Sequence, residues 1–190
     1  MAYRHYHVVG LVLGHLAHGE SNRLYQVLTP DFGLIRVLAQ GVRLEKSKLR
    51  YNLQTYHLVD LDLVRGREYW RLTGAAKIGL ANSLQVAFGR KLGSVLLRLI
   101  HGEEASAVIF TDLKRAWDLL AEKPAEIDPE DLEIFILIRL LANLGYLASS
   151  EVSVLILASQ DFTWSDVSAI SSKRSALIRV INASLLSSGL

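Results

Sequence analysis

The segment from Gly19 to Gln54 constrains the fold of this chain most, because it combines a hairpin pattern with a cationic loop. Two stretches of strand-like sequence flank the turn Thr29–Gly33, which contains the Pro-Asp and Gly residues typical of tight reversals. Gly41 then opens a loop in which four cations fall within eight positions, namely Arg43, Lys46, Lys48 and Arg50. A hairpin that leads into such a loop is typical of a small barrel that binds a phosphate backbone.

Strand patterns extend through the first 79 residues. We predict five strands, over His7–His15, Asn22–Thr29, Leu34–Gln40, Gln54–Val64 and Glu68–Ile78. A short element, Lys46–Tyr51, separates the third strand from the fourth. This count and order indicate an OB-fold, so we expect residues 1–79 to form an N-terminal five-stranded OB-fold β-barrel that binds nucleic acid.

In the first predicted strand, apolar residues alternate with glycines. Val9, Leu11 and Leu13 are expected on one face of this strand, and Gly10 and Gly14 on the other. Glycines within strands accompany the sharp bends that small closed barrels require. We therefore expect the first strand to bend.

From about residue 80 the apolar residues recur at helical spacing, which predicts a C-terminal α-helical bundle domain over residues 80–190. Helical stretches begin near residues 81, 105, 128, 163 and 171. The third has the clearest limits, with Asp128 as N-cap, Pro129 at the first position and Gly145 at the end. The segment Val152–Ala158 is compatible with either a helix or a strand. The chain is thus expected to be an α+β protein of two domains.

The charge of the chain is distributed unevenly. Residues 1–80 contain eleven Lys and Arg against six Asp and Glu, whereas residues 81–190 contain ten against thirteen. The formal net charge of +2 therefore conceals a basic first half, which indicates a local anionic partner such as nucleic acid.

Composition excludes several classes of site. The 190 residues include no cysteine, which excludes disulfides, thiol nucleophiles and cysteine-based zinc modules, and is typical of a cytoplasmic protein. No apolar run approaches the ~18–20 residues of a membrane span, so no membrane partner is expected. Motifs of serine hydrolases, zinc proteases and nucleotide-binding loops are missing from the sequence, so we expect no catalytic residues and no enzyme activity.

The segment from Gly19 to Gln54 resembles part of the first domain of the bacterial RecO family of recombination mediators. That domain typically reads G-E-x-x-x-R-L, T-P-x-x-G, G-x-R-x-x-K-S and L-Q. The matching pieces here are Gly19-Glu20, Arg23-Leu24, Thr29-Pro30, Gly33, Gly41, Arg43, Lys46-Ser47 and Leu53-Gln54. The run Phe135–Tyr146 resembles the core helix of the same family. Many members carry a four-cysteine zinc module directly after that helix, whereas Leu147–Ser153 contains no cysteine. We therefore expect a short form with no metal and no cofactor.

The resemblance implies a DNA repair and recombination mediator without catalytic activity. Such a protein binds single-stranded DNA, with double-stranded DNA as a second ligand, and anneals complementary strands. It also binds RecR and the C-terminal tail of single-strand binding protein, and acts on RecA indirectly by helping to load it. The implied location is the bacterial cytoplasm, in association with the nucleoid.

Candidate DNA-binding residues are the loop cations together with basic residues of the neighbouring strands. They are Arg23, Arg36, Arg43, Lys46, Lys48, Arg50, Tyr51, Arg65 and Arg67. Tyr51 is the aromatic residue chosen for base stacking, because it directly follows Arg50; the other aromatics of the first half are expected in the barrel core. In the second half, the resemblance implies a groove for the partner tail, rimmed by cations for which Arg139, Lys173, Arg174 and Arg179 are the candidates.

Three other interpretations remain open. The barrel could bind RNA, or the chain could be a protein-interaction adaptor in which the basic loop is incidental. A hydrolase would use Asp60 and Asp62, which alternate along the fourth strand. The early histidines His5, His7, His15, His18 and His57 are expected to be structural or surface residues, because the sequence near them supplies no carboxylate to complete a metal site.

Overall fold

The computed structural model describes residues 4–100, 102–105, 107–122, 125–126, 128–147 and 161–187. The chain forms two compact units, Met1–Ala107 and Val108–Leu190. Within the part of the chain that is described, no helix is both long enough and apolar enough to cross a bilayer.

The first unit contains a closed β-barrel. Its strands are β1 (His5–His18), β2 (Asn22–Thr29), β3 (Gly33–Ala39), β4 (Leu58–Arg65) and β5 (Trp70–Lys77). They close in the order β1-β2-β3-β5-β4, with β3 and β5 parallel and all other pairs antiparallel. A short helix, α1 (Leu49–Asn52), lies between β3 and β4. The predicted five-stranded OB-fold barrel with an intervening element is confirmed.

The barrel interior is filled by β-branched and aromatic side chains, which suit the pleated surface of a sheet. Fully buried members include Tyr25, Val27, Ile35 and Val37. Trp70 is only 2% exposed and packs its ring against Phe32, with ring centroids 4.7 Å apart. Burial of each such side chain stabilises the barrel by about 1.5–3 kcal/mol.

The face assignment predicted for the first strand fails beyond Val12, because β1 contains a β-bulge there. Val12 pairs with Val27, and Gly14 pairs with Gln26, so that Leu13 is an extra residue without a partner in the ladder. An extra residue shifts the side-chain alternation by one position and bends the strand. The expected bend is therefore present, but its cause is the bulge.

The two glycines of β1 consequently face opposite sides. A Cβ added at Gly10 would lie 2.4 Å from Val27 Cγ1, in the barrel interior, whereas one added at Gly14 would meet Leu97 of the following helix. The interior positions of β1 belong to Val8 and Val12 rather than to the predicted apolar set.

Helix α2 (Ser83–Leu99) belongs to the barrel unit and lies against Tyr56. A Cβ added at Gly89 or at Gly93 would lie 2.8 Å from an atom of the Tyr56 side chain. The pair of glycines thus allows the tyrosine ring to rest on the helix backbone. A larger residue at either position would collide with this ring.

The second unit is helical. Its elements are α3 (Ala107–Glu122, which begins at the unit boundary), α4 (Pro129–Asn143), α5 (Trp164–Ser168), a single 3₁₀ turn (Ser171–Lys173) and α6 (Arg174–Ser187). Asp128 caps α4 by accepting a hydrogen bond from the Glu130 amide at 2.9 Å, and Gly145 follows the helix with φ 78°. The predicted limits of this helix are confirmed, whereas the ambiguous segment Val152–Ala158 lies outside the described residues.

Candidate nucleic-acid interface

The cationic loop, defined here as residues 41–52, begins where β3 ends. Gly41 has φ 63°, a left-handed conformation that favours glycine, and its amide donates to Asn22 Oδ1 at 2.8 Å. The Leu44 amide then donates to the Gly41 carbonyl at 3.1 Å, which closes a turn. The loop is therefore held in a defined shape by backbone contacts at its start.

Arg43 ties this loop to the connection between β1 and β2. Its backbone amide donates to the Ser21 carbonyl at 2.9 Å, and its Nη1 donates to the Gly19 carbonyl at 3.1 Å. The side chain nevertheless remains exposed, and a guanidinium has five N–H donors, so further donors are available to an anion. Arg43 thus both positions the loop and contributes positive charge.

Lys46 and Lys48 are both exposed, and Lys48 directly precedes α1. Arg50 is half-buried beside Tyr51. The Arg50 guanidinium lies 4.8 Å from the centroid of the Tyr51 ring, and its Nη2 donates to the Tyr51 hydroxyl at 2.8 Å. These two contacts fix the orientation of a ring that is 59% exposed. An exposed aromatic ring among cations is the arrangement on which an unstacked base can stack.

Among the described residues of the barrel unit, several other aromatic side chains serve as core or packing residues, as expected. Tyr25 is fully buried, Trp70 is 2% exposed, and Tyr56 packs on α2. The Tyr69 ring contacts His18, with ring centroids 5.6 Å apart. Since His18 ends β1 and Tyr69 precedes β5, this contact brings the β1–β2 and β4–β5 connections together.

OB-folds bind oligonucleotides through the outer face of β2 and β3 and through these same two connections. Arg36 is exposed on β3, directly opposite Gln26 of β2, and Arg67 is exposed in the β4–β5 connection. Both candidates therefore lie where an OB-fold ligand is expected.

Arg65 has partners within the barrel unit, and Arg23 is half-buried there. Arg65 forms an ion pair with Glu103 and lies 4.7 Å from the centroid of the Trp70 ring. Arg23 is half-buried near His15, whose pKa is lowered, chiefly by burial and also by the positive charge of Arg23. Each of these arginines would have to leave or share these surroundings in order to bind a phosphate.

Carboxylates lie next to His7, contrary to the expectation from sequence. His7 Nε2 is 3.0 Å from Asp60 Oδ1, and His7 Nδ1 is 3.0 Å from Asp62 Oδ1, because β1 and β4 are neighbours in the barrel. A hydrogen bond with Asp62 and the negative charge of Asp60 raise the pKa of His7. Among the residues that the structure describes, no three His, Asp or Glu side chains are arranged to hold a metal ion.

Two of the four rim candidates in the helical unit are engaged in ion pairs. Arg139 is 3% exposed and binds the buried carboxylate of Asp112 through two hydrogen bonds, at 2.9 and 2.7 Å, so its predicted place on an exposed groove rim is wrong. Arg174 contacts the three acids around the start of α4, which are Asp128, Glu130 and Asp131. Lys173 and Arg179 are exposed.

Comparison with known proteins agrees with this geometry. The family described as Recombination protein O N terminal (RecO_N) matches residues 1–80, which include the five strands of the barrel. Residues 1–80 are therefore similar to the N-terminal domain of the RecO family. The match to this family covers the cationic loop and the barrel strands around it.

Three bacterial proteins that match this chain are named DNA repair protein RecO. The protein from Trichodesmium erythraeum is 36% identical over 110 residues, which are 55% of this chain and 38% of the relative. The protein from Synechocystis sp. is 36% identical over 109 residues, 55% of this chain and 40% of the relative. The protein from Dehalococcoides mccartyi strain CBDB1 is 32% identical over 136 residues, 67% of this chain and 51% of the relative. The matched regions span about half or less of these relatives.

Proposed function

We propose that this chain acts in DNA repair and recombination as a mediator that binds single-stranded DNA through its barrel unit. The observation that carries the proposal is the cationic loop, in which Arg43, Lys46, Lys48 and Arg50 accompany the exposed ring of Tyr51 on an OB-fold barrel. The similarity of residues 1–80 to the N-terminal domain of the RecO family supports the same role.

The charge of the barrel unit supports an anionic ligand. Residues 1–107 contain fourteen Lys and Arg against eight Asp and Glu, whereas residues 108–190 contain seven against eleven. Lysines and arginines that neutralise phosphates release condensed counterions, and this release provides most of the sequence-independent affinity. The exposed Tyr51 ring adds base stacking, which requires an unstacked base and therefore favours single strands over duplexes.

The mechanism is electrostatic and needs no catalytic residue. Cations of the loop neutralise the phosphates of one strand, so that a complementary strand or a recombinase can approach it with less repulsion. In this proposal the protein anneals complementary strands, acts with RecR, binds the tail of single-strand binding protein and helps to load RecA. It works in the cytoplasm at the nucleoid, and the exposed Lys173 and Arg179 are the remaining candidates for contact with the acidic tail.

A competition assay tests the ligand class. A labelled single-stranded DNA oligonucleotide is bound to the protein, and unlabelled single-stranded DNA, duplex DNA or RNA of equal length is added. We expect single-stranded DNA to compete best, and Tyr51→Leu to remove most of its advantage over duplex, while Tyr51→Phe retains it because the ring remains. Stronger competition by RNA would favour an RNA-binding module. No binding of any nucleic acid, with retained binding of the single-strand binding protein tail, would favour an adaptor.

A further inference from the structure

Helix α2 presents a second cationic surface in the barrel unit. Its 17 residues include three cations, Arg90, Lys91 and Arg98, and no Asp or Glu. All three cations are exposed. We call these three residues the α2 cationic face.

Helical geometry places these cations together on the solvent side. With 3.6 residues per turn and 1.5 Å per residue, they fall within about 100° of arc and extend over about 12 Å of the helix axis. The opposite side of α2 is buried, with Gly89 and Gly93 in contact with Tyr56. The packing of the glycines therefore fixes the direction in which the cations point.

Tyr56 follows the cationic loop in the sequence and packs against helix α2. Arg50 and Tyr56 are six positions apart in the sequence, so their Cα atoms are separated by at most ~22 Å. Tyr56 in turn contacts the residue that directly precedes Arg90. Two separate groups of cations, one in the loop and one on α2, match a flexible strand of phosphates better than they match a compact anion.

We propose that the α2 cationic face binds the phosphate backbone of single-stranded DNA beyond the segment held by the cationic loop. This inference rests on the proposed function, and it deepens it by assigning a longer binding site that includes a helix outside the five strands. OB-folds occupy about 4–16 nucleotides, so the loop alone corresponds to the lower part of this range and the loop with α2 to the upper part.

Binding of two oligonucleotide lengths tests this assignment. Anisotropy is measured with labelled single strands of about 6 nucleotides, near the lower limit of the OB-fold range, and of about 20 nucleotides, beyond its upper limit. The variant Arg90→Glu/Arg98→Glu is compared with Lys114→Glu/Lys123→Glu, which changes the net charge equally but in the other compact unit. Circular dichroism checks that each variant is folded, and Arg90→Gln/Arg98→Gln replaces the charge reversal if it is not.

We expect the α2 variant to bind the long strand at least ~10-fold more weakly, with the magnitude of its log–log salt slope reduced by about 0.7 for each phosphate that it no longer neutralises. Binding of the short strand and the behaviour of the control are expected to match wild type. Equal affinity of wild type and α2 variant for the long strand would overturn the assignment, and so would an equal loss at both lengths. If wild type binds neither strand, the proposed function fails as well. If short-strand binding depends on Lys46 and Lys48 but the α2 variant has no effect at either length, the proposed function holds without α2.

Discussion

The buried ion pair between Arg139 and Asp112 provides a stringent test of how the helical unit is stabilised. Both side chains are almost completely buried, at 3% and 4% exposure, and they share two hydrogen bonds of 2.9 and 2.7 Å. The guanidinium also lies 5.4 Å from the centroid of the Phe162 ring and 5.8 Å from that of Phe135. Replacing Arg139 by Met keeps an unbranched apolar stem and removes both hydrogen bonds to the carboxylate.

The expected loss of stability in Arg139→Met follows from the Asp112 carboxylate, which stays buried without its arginine partner. Removal of one partner of a buried pair costs about 3–5 kcal/mol in free energy of unfolding, because the remaining charge stays buried without compensation. Burial already raises the pKa of Asp112, and removal of the arginine raises it further. Since protonation relieves the buried charge, the destabilisation of Arg139→Met is expected to shrink as the pH falls. The double variant Asp112→Leu/Arg139→Met leaves no charge behind and is expected to regain most of the stability.

Urea unfolding followed by far-UV circular dichroism measures these free energies, with Arg179→Met as an exposed control expected to lie within ~0.5 kcal/mol of wild type. A loss below ~1 kcal/mol for Arg139→Met would contradict the reasoning, because an isolated buried carboxylate costs more than that. A double variant as unstable as the single one would contradict it too, because the cost would then come from packing.

Three further changes have defined outcomes. Gly93→Val adds atoms where a Cβ would already lie 2.8 Å from the Tyr56 ring, so we expect a loss of about 1–3 kcal/mol by urea unfolding, and an unchanged midpoint would mean that the ring is not seated there. Tyr25→Phe removes a buried hydroxyl that has no hydrogen-bond partner among the described residues, so stability is expected to stay equal or rise by ~1 kcal/mol, and a clear loss would reveal a partner. The pKa of His7 is raised in the folded state, so its contribution is present below pH ~6.5 and disappears as the pH rises through the folded pKa. As the pH rises above ~6.5, the Tm of His7→Asn should therefore fall less than the Tm of wild type. An identical pH profile would refute the pairing of His7 with Asp60 and Asp62.

The elements that were predictable from sequence are those set by local patterns. Strand alternation and the turn Thr29–Gly33 indicated the barrel order, and Asp128 with Pro129 indicated the start of α4, because caps and turns depend on neighbouring residues. The bulge at Leu13 was not predictable in this way, since it depends on the pairing of β1 with β2 rather than on β1 alone.

In the candidate site, too, some features could be predicted from local sequence and others could not. The loop cations are evident from sequence because they are close together in it, and the exposure of Tyr51 agrees with the choice of that residue for stacking. The tether from Arg43 to Gly19 and the pairing of Arg139 with Asp112 join residues 24 and 27 positions apart, so no local pattern could reveal them. The three cations of α2 can be recognised as one exposed face only from the burial of the opposite side of the helix against Tyr56. That packing is not a local property of the sequence.

The central claim is that the cationic loop contacts the phosphates of single-stranded DNA. The most direct measurement is fluorescence anisotropy across a salt series with wild type, Lys46→Glu/Lys48→Glu, and the charge-matched control Lys114→Glu/Lys123→Glu. The side chains of the two loop lysines have no part in the Arg43 tether or in the Arg50–Tyr51 contact, so their reversal leaves the loop structure in place. We predict weaker binding for the loop variant alone, with the magnitude of its log–log salt slope reduced by about 0.7 for each phosphate that it no longer neutralises. A loop variant with the affinity and slope of the control would contradict the claim.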